Sequence, residues 1–321
     1  MKVVVRGSEK LNEFGWVWQE IGTELTSIPL WSHSGIALIS RGVAVVSTPG
    51  DSSLSLISED GSTSNIPVGE GIYHGMASDV FEGKDFLWLA DIGVEPTGGK
   101  LLGYSFATEQ VRDFSPAYET MPEVHGWRPT SVAVEKSISD PKGHSLWVAD
   151  GYGHSLVHRL GRDGTLTIDG SSSGTKFDCP HGIALDGRES KPLLVVADRN
   201  NQRLVWFDLS GNFVRELKHE LITSPSSIAI AGKNLYFTEL HGGLVSVSQQ
   251  NEVQDVLPRS NRTRDEGWPN QLDAETLVRP SLTTGILNSP HGLTSSESGS
   301  LFLTEWVIGG RTIRLDPRSS L

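Results

Sequence analysis

The stretch CPHGIALDG, residues 179–187, followed by LVVADRN at 194–200, decides how this chain folds, because its pattern returns along the sequence. A small residue opens a short apolar run, and a second apolar run ends in or beside an acidic residue. The pair recurs as SHSGIAL (32–38) with VAVVSTPGD (43–51), YHGMASD (73–79) with LWLAD (87–91), and RPTSVAV (128–134) with LWVADGY (146–152). It recurs again as SPSSIAI (224–230) with LYFTEL (235–240) and SPHGLTS (289–295) with LFLTEW (301–306). Runs this short, bounded by turn residues, read as strands. Segments such as RLVWFDLSGNFVREL, 203–217, add a further strand pair about a Ser-Gly turn.

Six units of this kind predict an all-β fold, a six-bladed β-propeller occupying residues 1–321 as one domain, with four-stranded blades around a central channel. The last unit ends after RTIRLD, 311–316, one strand short, and the N-terminal KVVVR, 2–6, is the expected closing strand. A closed ring leaves no long sheet edge open to pairing with another chain. The interval before the last unit is long, and its excess falls in 257–280, a polar segment with Arg262, Arg264 and Trp268. Loops of this length are either lids over a site or surface excursions, and both readings stand.

Composition narrows the partners. The chain has 27 basic and 39 acidic residues and a formal charge of −12, so its surface repels phosphate backbones, and no nucleic-acid partner is expected. One cysteine, Cys179, excludes an intrachain disulfide and a cysteine-rich zinc site. No apolar run reaches the ~20 residues of a membrane span, and the N-terminus lacks the apolar region of a signal peptide. The expectation is a monomer, cytoplasmic, with no membrane partner and with a small molecule or peptide as ligand.

The repeat assigns equivalent positions to His33, Thr130 and Ser226 and to three histidines, His74, His181 and His291, which follow one another at 107 and 110 residues. The first strand of each blade lines the channel, so His74, His181 and His291 fall on alternate units at one height. Three imidazoles on an axis form a tripod suited to a catalytic zinc with an open position, although copper, iron or nickel would also accept them. The competing reading makes each histidine a hydrogen-bonding group that satisfies a turn. His33 reads as structural, and Cys179 reads as a small buried hydrophobe. The second strand ends beside the start of the first, which brings Tyr152 and Arg199 to the channel mouth. Asp150 and Asp198, just before them, read as turn caps.

WRPTSVAVEKSI, SLWVADGYGHS, CPHGIALDG and VVADRNNQRLVWF resemble the NHL-repeat propeller of peptidyl-α-hydroxyglycine α-amidating lyase (peptidylamidoglycolate lyase). The resemblance implies a zinc held by His74, His181 and His291, with Tyr152 as catalytic base and Arg199 as an organiser of the site. It implies cleavage of a carbinolamide, an N–C(OH) unit, to an amide and an aldehyde.

The sequence departs from that family's pattern in three places. Pro49 or its neighbour stands where the family has a blade-one arginine, and Arg128, Arg262 and Arg264 are the available replacements. Gly292 stands where an aspartate binds structural calcium in that family, which weighs against calcium here, and Ser289 replaces a methionine. Two other functions stay open. One is a non-catalytic NHL propeller that serves as a binding scaffold. The other is a calcium-dependent lactonase, which expects acidic and asparagine ligands where this chain has His, Thr and Ser.

Overall fold

The structure is a computed structural model. It describes residues 9–11, 15–22, 31, 35–39, 44–47, 53–81, 83–93, 98–117, 119–136, 144–161, 163–259 and 266–318. Nearly all regular structure is β. Five sheets have four strands each, taken consecutively from the chain and paired antiparallel, and these are blades one to five. Their inner strands are Ile36–Leu38, Tyr73–Phe81, Ser131–Glu135, Pro180–Asp186 and Pro225–Ala231.

The expectation of six four-stranded blades is corrected, since five such blades are present among the described residues and the larger of the two other sheets completes the ring. That sheet has five strands drawn from both ends of the chain. Pro290–Ser295, Leu301–Glu305 and Thr312–Pro317 are followed by Trp16–Ile21, with Glu9–Leu11 outermost. The closing strand is therefore Trp16–Ile21 and not KVVVR, which lies outside the described residues. WVWQEI matches Thr312–Pro317 residue for residue, from Trp16 opposite Pro317 to Ile21 opposite Thr312. Trp18 of this strand is completely buried, with the Arg311 guanidinium 5.1 Å above the ring.

The inner strands contact one another in order, and Pro290–Ser295 touches both Pro225–Ala231 and Ile36–Leu38, so the ring is closed. The core is divided among the contacts between neighbouring sheets. Trp147 and Ala149 of blade three meet Leu194, Val196 and Phe207 of blade four, and Trp206 of blade four lies in the cluster holding Phe237 and Val245 of blade five. Between blade one and the closing sheet, Ile36 and Val46 meet Phe302. Among the described residues, no helix is long and apolar enough to cross a membrane.

The segment 257–280 contributes a small hairpin, Gln271–Asp273 with Thr276–Val278. It is tied down beside the last histidine strand. Asn288 donates to the Pro269 carbonyl at 3.1 Å, Ile308 N–H donates to Asn270 at 2.7 Å, and Arg279 donates to the Gly309 carbonyl at 3.0 Å. Arg262 and Arg264 lie outside the described residues.

Candidate metal centre

Four inner strands depart from regular pairing near their starts. The register slips between Tyr73 and Gly75, between Pro180 and Gly182, between Pro225 and Ile228, and between Pro290 and Leu293. Three of these slips contain a histidine, and the one in blade five contains Ser226. A bulge leaves a residue without a cross-strand partner and re-aims its side chain, here into the channel. Proline is tolerated at such irregular positions because the ladder hydrogen bond is already interrupted. Cys179 and Ser289, which precede the two Pro-His pairs, have positive φ angles of 58° and 49°, an uncommon conformation for residues other than glycine.

The outcome is a compact triad. The rings of His74, His181 and His291 are all buried, with centroids 4.6, 4.7 and 4.9 Å apart. One ligand atom from each lies within 4.8 Å of the others. A tetrahedral zinc with Zn–N of about 2.1 Å requires nitrogens about 3.4 Å apart, which this limit includes.

The glycine after the histidine explains the HG pair. A Cβ on Gly75 would fall 2.4 Å from the Thr130 carbonyl oxygen, and one on Gly182 would fall 2.0 Å from that of Ser226. Those same carbonyls accept from Nδ1 of His74 at 2.6 Å and of His181 at 3.2 Å. Glycine lets the next sheet approach, and that sheet's carbonyl then orients the ring. Because a carbonyl only accepts, Nδ1 carries the proton and Nε2 presents its lone pair, the arrangement found behind metal-ligating histidines.

Tyr152 lies just past the strand Ser145–Asp150. Its hydroxyl is 3.3 Å from His74 Nε2 and 3.1 Å from His181 Nε2. One phenol proton cannot serve two lone pairs, so the donor set has the excess electron density that a bound cation would satisfy. Arg199 closes the group. Its Nη2 donates to Ser226 Oγ at 2.7 Å, and its Nη1 lies 3.5 Å from the Tyr152 hydroxyl. Ser226 thus takes Arg199 on its hydroxyl and His181 on its carbonyl.

Burial dominates the electrostatics. It lowers the pKa of His181 well below that of a free imidazole, and Arg199 and the neighbouring histidines push it the same way, so the ring is neutral and competent as a ligand. Burial raises the pKa of Tyr152, while Arg199 and, more weakly, Arg128 favour the phenolate. Burial also raises the pKa of Cys179, which packs as a small apolar residue.

The acids that end the second strands hold turns. Asp91 accepts from Ile72 N–H at 2.8 Å, Asp150 from Arg128 N–H at 2.6 Å, Asp198 from Asp178 N–H at 2.9 Å and Glu305 from Asn288 N–H at 2.7 Å. Glu239 accepts from Ser224 N–H.

The five predicted site residues, His74, His181, His291, Tyr152 and Arg199, are therefore brought into one cluster by geometry. His33 and Pro49 lie outside the described residues. Two further residues have a place at the site that the sequence did not assign to them. Ser226 holds both Arg199 and His181. Trp306 lies 6.5 Å from the His291 ring and packs against Trp31 at 5.2 Å with the two rings tilted by 40°. Its signal was present in the repeat, since Trp306 follows Glu305 as Arg199 follows Asp198.

No protein-family model and no curated protein matches the chain. Solved structures do. A gluconolactonase from Xanthomonas campestris superposes with a TM-score of 0.63 at 13% identity, covering 96% of this chain and 93% of its own. A streptogramin B lyase superposes with a TM-score of 0.57 at 15% identity, covering 94% and 97%. A virginiamycin B lyase from Staphylococcus aureus gives a TM-score of 0.55 at 12% identity, covering 94% and 98%. The fold is a β-propeller. At these identities the likeness concerns the fold alone.

Proposed function

We propose that the chain is a metal-dependent, lyase-like enzyme on an NHL-type propeller, acting on a hydroxylated, carbinolamide-type small molecule or peptide. The observation that carries this reading is the convergence of three buried imidazoles, two of them held by backbone carbonyls and in contact with Tyr152. His74, His181 and His291 would hold the metal, and zinc suits three nitrogen donors with an open position. Zinc, when bound, supplies Lewis acidity that lowers the pKa of a hydroxyl presented to it. Calcium is not part of the proposal, because the donors are nitrogens and calcium takes oxygens. The same donor set sets the chain apart from the calcium-dependent lactonase reading.

Tyr152 is the base. It takes the proton of the substrate hydroxyl, the carbonyl forms as the C–N bond breaks, and the phenol returns a proton to the leaving amide nitrogen. Arg199 favours the phenolate and, with Arg128 nearby, makes that wall of the mouth attractive to a carboxylate. Propeller lyases and a lactonase among structures of this fold make enzymatic use of such a channel ordinary.

The test is turnover of an N-acyl α-hydroxyglycine. The expected result is aldehyde release that Tyr152→Phe abolishes. Absence of turnover by the zinc-loaded protein would favour the second reading, a binding scaffold, which rests on Pro49 standing where the resemblance expects an arginine.

A further inference from the structure

We propose that Trp306, with Trp31 packed against it, forms an aromatic platform that selects ligands carrying a planar ring beside the group presented to the histidine triad. The inference rests on the function proposed above and adds a substrate class to it, a hydroxy acid or N-acyl carbinol acid bearing an aromatic ring.

The first observation is register. In blades two, four and five and in the closing sheet, the residue after the second-strand acid returns a backbone hydrogen bond to the segment leading into the inner strand. Arg199 N–H bonds the Cys179 carbonyl at 3.1 Å, Leu240 N–H that of Ser224 at 3.1 Å, and Trp306 N–H that of Ser289 at 2.8 Å. Arg199 and Trp306 thus occupy one position on two sheets. In blade four that position sends a guanidinium to Ser226 and Tyr152, and in the closing sheet it sets an indole beside His291.

The second observation is that the wall is built. Trp31 pairs with Ile308, and Ile308 is held from the other side by Asn270 at 2.7 Å. Arg279 fixes the Gly309 carbonyl at 3.0 Å. The loop that carries Trp306 is therefore clamped between Trp31 and the 257–280 segment, which preorganises the indole for a ligand ring. Both tryptophans keep part of their surface open although apolar rings gain by burial. The mouth then has two unlike walls. Arg199 and Arg128 suit an anionic end, and the tryptophans suit a ring.

Mandelate and lactate test this, since they share the α-hydroxy carboxylate and differ as phenyl against methyl. Calorimetric titration of the zinc-free and the zinc-loaded protein should give about tenfold or stronger preference for mandelate in both, the order expected for burying a ring on a platform. Trp306→Ala should bring the ratio close to one, and Trp306→Phe should keep most of it, which separates ring loss from misfolding. A wild-type ratio near one, or a ratio that survives Trp306→Ala, overturns the platform. A preserved ratio with no gain in affinity from zinc supports the platform and contradicts the metal reading alone.

Discussion

Blade four and the closing sheet are built alike and equipped differently. Each carries a Pro-His-Gly turn after a residue with positive φ, each bulges at the histidine, and each ends its second strand in a buried acid. Each acid pairs with a buried arginine, Asp198 with Arg203 at 2.7 Å and Glu305 with Arg311 at 2.7 Å. They differ one residue later, at Arg199 and Trp306. The comparison teaches that this propeller keeps its turn scaffold constant and varies its chemistry at a single register beside the channel.

The shared scaffold should break alike in both regions, and with the largest effect. Arg203→Met and Arg311→Met each leave a carboxylate buried without its partner, and each should cost about 3–5 kcal/mol in denaturant unfolding. A loss below about 1 kcal/mol in either would show that the two pairs are not equivalent.

The histidine–glycine couple predicts a smaller loss. Gly182→Ala forces a methyl group against the Ser226 carbonyl and should cost about 1–3 kcal/mol. Gly187→Ala, with no heavy atom within 4 Å of its added Cβ, should stay within about 0.5 kcal/mol of wild type. Equal effects would remove the explanation given for the glycine.

His158, a buried imidazole outside the channel, separates burial from site chemistry. It contacts Thr167 at 3.0 Å, its Nε2 has no hydrogen-bond partner among the described residues, and burial lowers its pKa. Because the folded pKa lies below the unfolded one, the unfolded chain binds more protons below about pH 6.5. The stability is present above that pH and falls as pH drops. His158→Gln should reduce this slope by up to about 1.4 kcal/mol per pH unit, read from unfolding curves at a series of pH values. An unchanged slope would assign the dependence to other groups.

Much of this was legible in the sequence because strand period and turn chemistry fix which residues share a height. His74, His181 and His291 announced themselves by register, and Tyr152 and Arg199 by the ends of second strands. The closing strand differs from the expected KVVVR because WVWQEI closes the sheet through Trp18 and Glu20, which both meet Arg311. Thr130 and Ser226 could not be read as partners of the histidines, since they act through backbone carbonyls that residue type does not reveal. Trp306 needed the sheets to be compared after the acid as well as before it.

Zinc titration of the purified chain, with His74→Ala, His181→Ala and His291→Ala beside it, tests the central claim most directly. The account predicts one zinc per wild-type chain and a loss of roughly a hundredfold or more in affinity for each variant, at least that of removing an outer-shell partner. Wild-type protein that binds no zinc, or variants that bind it as well as wild type, would contradict it.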